Sequence, residues 1–189
     1  MKFGVIILIG GRSTRMGEDK FAVNFRGKQL LDHVLNLCEE IHASEVIVVG
    51  NGGQEVKGKF QFVQDEMDDV GPLGGILTGL QNTSNELNLV LPCDTPFVNA
   101  KLLQSMLSKE SGQKVVVPNV NGKLHPTVGI YKKELTNDLR KFLNKGKRKM
   151  MDFIRSVDGL ILSENELLGL ESNTFVNLNS QKELKENEH

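Results

Sequence analysis

The first nine residues constrain the fold more than any other stretch. Phe3 to Ile9 is an uncharged, apolar run that ends abruptly in Gly10-Gly11-Arg12. A strand exposed on one face would alternate apolar and polar residues. A run this short and apolar throughout is expected of a strand covered by helices on both faces. Behind Met1-Lys2 the run also has the outline of a secretory signal. It stops early, however, with no small-residue cleavage site, and nothing elsewhere approaches the ~20 apolar residues of a membrane span. The expectation is a buried first strand in a cytoplasmic protein.

The same logic extends along the chain. Leu30, Leu31, Val34, Leu35 and Leu37 recur at helical spacing, so residues 28–42 read as an amphipathic helix. Strands are expected at 45–50, 60–64, 87–91, 114–118 and 127–131. Helices are expected from Gly71, with Pro72 in the first turn, and over 99–108, 134–143 and 150–157. Leu160 to Leu162 and Thr174 to Leu178 read as late strands, and the charged tail after Ser180 as a helix if ordered. Alternation of strand and helix through residue 118 implies a three-layer α/β fold, Rossmann-like, with a mostly parallel central sheet. No internal repeat or Pro/Gly/Ser-rich linker divides residues 1–189, so one domain is expected.

Charge and cysteine content narrow the function. With 23 basic and 24 acidic residues the net charge is -1, which gives no global attraction to nucleic acid or to an anionic membrane. Neither is an expected partner. Cys38 and Cys93 match no disulfide framework and no metal-ligand spacing, and a reducing cytoplasm suits both as thiols.

The chemistry concentrates where strands end. Gly10-Gly11-Arg12-Ser13-Thr14-Arg15-Met16-Gly17-Glu18-Asp19-Lys20 joins glycines that expose backbone N–H groups to two arginines and a lysine, as a polyphosphate site requires. The spacing is neither that of a P-loop nor that of a dinucleotide fingerprint. A merely solvated surface loop is the competing reading. Asp94, between Pro92 and Pro96, ends a buried strand, where parallel α/β sheets bind ligands. It suits a Mg²⁺ held by one carboxylate and substrate phosphates, or else caps the next helix. Asp65 follows another strand. Gly71-Pro72-Leu73-Gly74-Gly75 lets a helix N-terminus approach a ligand, although helix–sheet packing explains Gly74, Gly75 and Gly79 equally well. Lys145-Gly146-Lys147-Arg148-Lys149 is a basic patch that is either solvated or binds a phosphate ester. Asn177 and Asn179 would share one face of a strand, suited to a polar heterocycle or to turn capping. Cys93 reads as a small buried hydrophobe, and His125 as structural.

Taken in order, these motifs resemble the molybdenum cofactor guanylyltransferases, a branch of the nucleotidylyltransferases. The resemblance spans roughly residues 3–184. It rests on Leu8-Ile9-Gly10-Gly11, Arg15-Met16-Gly17, Asp19-Lys20, Gly71-Pro72-Leu73, Pro92-Cys93-Asp94-Thr95-Pro96, His125-Pro126-Thr127 and Phe175-Val176-Asn177-Leu178-Asn179. It implies transfer of GMP from GTP to the molybdenum-molybdopterin cofactor with Mg²⁺. Arg15, Lys20 and Asp94 are then catalytic, and Asp94 is the metal ligand. Leu8, Ile9, Gly10, Lys20, Asn51, Asp65 and Asp94 meet GTP, while Arg148, Asn177 and Asn179 face the molybdopterin side. Ile9 departs from the alanine often found there. Gly10 goes with guanine in the family, where relatives that use cytosine typically carry alanine. Implied partners, besides the substrates, are molybdoenzyme apoproteins or cofactor chaperones. The rival expectations are a nucleotidylyltransferase using CTP or a sugar phosphate, and a nucleotide-binding escort protein without turnover.

Overall fold

The structure is a computed structural model that describes residues 1–9, 23–51, 60–65, 67 and 70–187. The Gly-rich loop, Gly10 to Lys20, lies outside them. Strand β1 (Gly4–Leu8) is buried throughout and lies between β4 (Glu45–Gly50) and β6 (Leu87–Pro92), parallel to both. β5 (Gln61–Gln64) extends the parallel ladder beyond β4. On the other side β9 (Gly129–Lys132) runs antiparallel between β6 and β7 (Val115–Val120), and β10 (Leu160–Ser163) forms an edge parallel to β7. The order β10-β7-β9-β6-β1-β4-β5 is therefore parallel except for β9. This is the mostly parallel central sheet expected, with β8 (Lys123–Leu124) appended to β7.

Helices cover both faces. α1 (Leu30–Glu40) and α3 (Ala100–Lys109) pack on the side reached by Val5, Ile7, Leu89 and Leu91. α2 (Pro72–Asn82), α4 (Leu135–Asn144) and α5 (Met150–Ser156) pack on the side reached by Ile6, Leu8, Ile47 and Val90. Alternation along β1 sends successive side chains into the two layers, which explains why its run is apolar without a break.

Helix α2 lies closest to the sheet. A Cβ at Gly79 would stand 2.9 Å from Cδ1 and 3.0 Å from Cγ1 of the fully buried Ile6. One at Gly75 would stand 3.0 Å from Leu8 Cδ2. These glycines are the clearance that lets the helix lie against β1, so the packing reading holds for both.

At the amino edge of the sheet a polar cluster locks β4 to the end of α2. The Glu45 carboxylate accepts from the Asn85 amide at 2.8 Å and the Ser84 backbone N–H at 2.9 Å. The Thr83 hydroxyl lies 2.6 Å from Glu45 and 2.8 Å from the fully buried Asn88 carbonyl oxygen, donating to one while accepting from the Asn85 N–H at 3.0 Å.

Two short hairpins were not foreseen. β2 (Asn24–Phe25) pairs with β3 (Lys28–Gln29) across Arg26-Gly27, and β7 pairs with β8 across Asn121-Gly122. All four turn residues have positive φ, the two-residue turn whose twist matches paired strands. One expectation fails: Thr174 to Leu178 is not a strand. Thr174 and Phe175 lie in a turn, and residues 176–179 pair with no strand. The alternating pattern is real, with Asn177 and Asn179 exposed and Leu178 buried. It arises because Leu178 drops into a cluster with Val23, Phe25, Leu30 and Leu184, not because a neighbouring strand pairs with the segment. The charged tail does form α6 (Gln181–Glu186).

Gly79→Ala tests the close approach of α2. Alanine favours a helix over glycine by about 1 kcal/mol, but overpacking a rigid core costs about 1–3 kcal/mol. The net expectation is destabilisation, read as a lower urea midpoint with an unchanged m-value. A stabilised variant would show that Ile6 moves aside freely.

Candidate active site

The sheet brings Leu8, Ile9, Asn51, Asp65 and Asp94 to one edge. Leu8 ends β1 opposite Val49 and Pro92. The chain then continues in step with its neighbours: Ile9 N–H donates to the Val49 carbonyl at 2.9 Å, and Cys93 N–H to the Leu8 carbonyl at 3.0 Å. Beyond β4 stands Asn51, and Asp65 follows β5, its N–H donating to the Gly50 carbonyl at 3.0 Å. Across four adjacent strands the carboxyl ends therefore present Asp94, Ile9, Asn51 and Asp65 in a row.

With adjacent strands about 4.8 Å apart, Asp94 and Asp65 are separated by three strand spacings, on the order of 14 Å. One metal ion does not bridge them, so the two carboxylates have different tasks. Asp65 is fixed by the Met67 N–H at 3.0 Å and the Thr78 hydroxyl at 3.2 Å, both on Oδ1. The Thr78 contact links it to α2, whose N-terminus points toward the same edge and adds a positive partial charge. Thr78 carried no sequence signal, because a threonine within an apolar helix has no motif of its own.

Asp94 is buried, 8% exposed. It does not cap the following helix. That role belongs to Asn99, whose side chain accepts from the Leu102 N–H at 3.0 Å. Cys93 turns into the α1/α3 core, as a small hydrophobe would. Burial also pushes the Cys38 thiol up to about 12, so it is no nucleophile.

The C-terminal segment reaches this edge. The Leu178 N–H donates to the Asp94 carbonyl at 2.9 Å, which places Asn177 and Asn179 on either side of that tie. Leu178 packs with Val23 and Phe25, the first described residues after the Gly-rich loop. Asn179 N–H donates to Glu183 at 2.7 Å, at the start of α6. Residues at opposite ends of the sequence thus meet.

Arg148 is tied locally, its guanidinium donating to the Leu143 carbonyl at 2.7 Å and the Lys147 carbonyl at 2.9 Å. This caps the C-terminus of α4, favourable for a cation beside a helix's negative end. Because β9 is antiparallel, α4 starts at the amino edge, where Lys133 N–H meets the Glu86 carbonyl. Lys145 and Lys147 turn into a groove of about 490 Å³ shared with Lys114, Asp138 and Lys141. Gly10, Arg15 and Lys20 lie outside the described residues.

With this geometry in place, comparison with known proteins gives a consistent answer. Residues 5–160 match the MobA-like NTP transferase domain. The chain belongs to that family of nucleotidyltransferases. A protein of Flavobacterium johnsoniae named "Probable molybdenum cofactor guanylyltransferase" is 32% identical, covering 95% of this chain and 93% of its own. The Haemophilus influenzae protein named molybdenum cofactor guanylyltransferase is 31% identical, covering 95% and 94%. The crystal structure of molybdopterin-guanine dinucleotide biosynthesis protein A from Archaeoglobus fulgidus superposes with a TM-score of 0.79 at 22% identity, over 98% of this chain and 96% of that one.

His125 sits at the same edge, stacked on Phe175 with ring centroids 3.9 Å apart and planes 15° from parallel. Burial, helped by the nearby Lys123 charge, lowers its pKa from 6.5 to about 4. Between these values the unfolded chain binds the extra proton and the folded one does not. The His125 contribution is therefore complete above 6.5 and lost as pH falls toward 4. His125→Phe, which cannot titrate, is expected to flatten the fall in melting temperature over that window. An equally steep fall in the variant would assign the acid sensitivity to other groups.

Proposed function

We propose that this chain transfers GMP from GTP to the terminal phosphate of the molybdenum-molybdopterin cofactor, giving the guanine dinucleotide form and pyrophosphate. The observation that carries the reading is the row of strand ends, with Asn177 and Asn179 tied beside Asp94. The names borne by relatives near 31% identity favour it over CTP-using, sugar-phosphate and non-catalytic readings.

GTP lies across the strand ends, its guanosine against Leu8, Ile9, Gly10, Asn51 and Asp65. Its triphosphate reaches Arg15, Lys20 and the Asp94 end. The acceptor lies against Asn177 and Asn179, with Arg148 on its side. A terminal phosphate oxygen of the acceptor attacks the α-phosphorus of GTP in line. The bond from that phosphorus to the α,β-bridging oxygen breaks, and pyrophosphate leaves with the electron pair. No covalent enzyme intermediate is required, because the protein's task is to hold two polyanions together against their repulsion. Lys20 and Arg15 stabilise charge on the departing pyrophosphate.

Asp94 fits Mg²⁺. It offers a hard oxygen donor, and no group of three or more His, Cys, Asp or Glu converges among the described residues. One carboxylate completed by substrate phosphates and water is a usual Mg²⁺ environment. Bound there, the ion would screen negative charge at the α-phosphate.

Residues 1–189 act as one such domain. The reaction belongs in the cytoplasm, where Cys38 and Cys93 stay reduced, and the product passes to molybdoenzyme apoproteins or cofactor chaperones. No described helix is long and apolar enough to cross a membrane.

Pyrophosphate release with GTP, Mg²⁺ and molybdopterin is the direct test. Asp94→Asn is expected to lower turnover by about 10²-fold, the scale of losing one key electrostatic group, while the protein still folds. A fully active variant would remove Asp94 from the mechanism.

Base choice is tested separately, by competition among the four nucleotides. Glycine at residue 10 goes with guanine in the family that the sequence resembles, so GTP is expected to outcompete CTP and ATP. A site built around hydrogen bonds discriminates by ~10² or more, because a wrong base leaves them unmade. Gly10→Ala is expected to reduce GTP use. A preference for CTP would overturn the guanylyl assignment and leave nucleotidyl transfer standing.

A further inference from the structure

We propose that His125 is a positioning residue for the acceptor, its ring serving as the fixed surface on which Phe175 sets the segment carrying Asn177 and Asn179. The proposal rests on the reading that these asparagines receive the molybdopterin substrate.

The segment has little backbone support of its own. Val176 N–H donates back to Asn173 at 2.9 Å, within the segment's own turn. Further along, the Leu178 N–H donates to the Asp94 carbonyl and the Asn179 N–H to the Glu183 side chain. Between the turn and Leu178 the segment is placed by side chains: Val176 packs toward Val23 and Phe25, and Phe175 lies face to face on His125.

His125 is itself firmly mounted. Its N–H donates to the Pro118 carbonyl on β7 at 3.0 Å, and its carbonyl accepts from the Val128 N–H at 3.0 Å. The next carbonyl, that of Pro126, accepts from the Tyr131 hydroxyl at 2.6 Å, and Tyr131 is fully buried in β9. The imidazole stands on two central strands, and the aromatic ring stacked on it inherits that position. The lowered pKa keeps the imidazole neutral at neutral pH, so the contact buries no charge.

Asn177 lies two residues beyond this stack and one before the Leu178 tie. Loss of the stack frees one end of the asparagine's support and leaves the bond at Asp94 in place. The effect should therefore fall on the acceptor and spare GTP. A small misplacement by a group outside the chemistry can cost as much as ~10²-fold in rate.

The test uses the full chain with His125→Ala, His125→Phe, Phe175→Ala and the double alanine variant. Pyrophosphate release is followed with molybdopterin varied at saturating GTP and Mg²⁺, and GTP affinity is measured by calorimetry. His125→Ala should raise the acceptor KM by about tenfold or more, a fraction of the largest positioning effects, with GTP affinity unchanged. His125→Phe should restore it, because a phenyl ring keeps the stack. Phe175→Ala should match His125→Ala, and the double variant should be no worse than either. A folded His125→Ala protein with wild-type acceptor KM, or a His125→Phe protein as impaired as the alanine variant, overturns the proposal. If His125→Ala does not fold, Phe175→Ala and His125→Phe decide in the same way.

Side-chain amide spectra of Asn177 and Asn179 give a readout independent of turnover. Shifted or broadened amide signals in His125→Ala are expected, and unmoved signals overturn the proposal. Absence of pyrophosphate release by the wild-type enzyme with molybdopterin would defeat the substrate reading alone, and the spectra would still test the positioning.

Discussion

The hydrogen bonds on either side of β1 are the constraint from which the rest of this structure is measured. β1 pairs in parallel with β4 and β6, and the pairing continues one residue past its end, through Ile9 to Val49 and Cys93 to Leu8. Parallel register brings strand ends out level with one another, so residues from distant parts of the sequence emerge side by side. Asp94 is at this edge because β6 is in register with β1. Asp65 is there because β5 is in register with β4. Helix α2 supports the arrangement from beneath, resting on Ile6 and Leu8 through glycines that remove the bulk between them.

The proposed site has two halves of different construction. The nucleotide half is made of strand ends, whose positions follow from ladders of backbone bonds. The acceptor half is a segment outside any ladder, held by a ring stack, a backbone bond at Leu178, and Val176 and Leu178 packed toward Val23 and Phe25. A ladder fixes many residues together, whereas a few side-chain contacts leave the segment dependent on each of them. The bond between Leu178 and the Asp94 carbonyl joins the halves at the residue proposed to meet the metal and GTP.

Much of this was legible in the sequence, and the reason differs from element to element. The apolar runs at Phe3–Ile9 and Leu87–Leu91 announced strands because burial on both faces leaves little freedom of composition. Asp94 stood out because two prolines mark where its strand stops. The antiparallel insertion of β9 was hidden, since strand direction depends on which neighbour pairs with it and a single strand's residues do not encode that. The β7–β8 turn was readable in principle, because Asn121-Gly122 is a strong hairpin signal. Thr174–Leu178 misled because alternating burial is the mark of any extended chain on a surface, with or without a ladder. The partnership of His125 with Phe175 left no trace, because stacking links residues fifty positions apart that carry no shared pattern.

The tie between Asp94 and Leu178 also has a consequence for the order in which the protein can come into being. Synthesis proceeds from the amino end, and β1, β4, β5 and β6 are complete once residue 92 has been made. The asparagine segment and the leucine that anchors it follow more than eighty residues later. A growing chain could therefore assemble the strand ends that face the nucleotide well before it has anything with which to seat the acceptor. Joining the two halves must wait until residue 178 has been made.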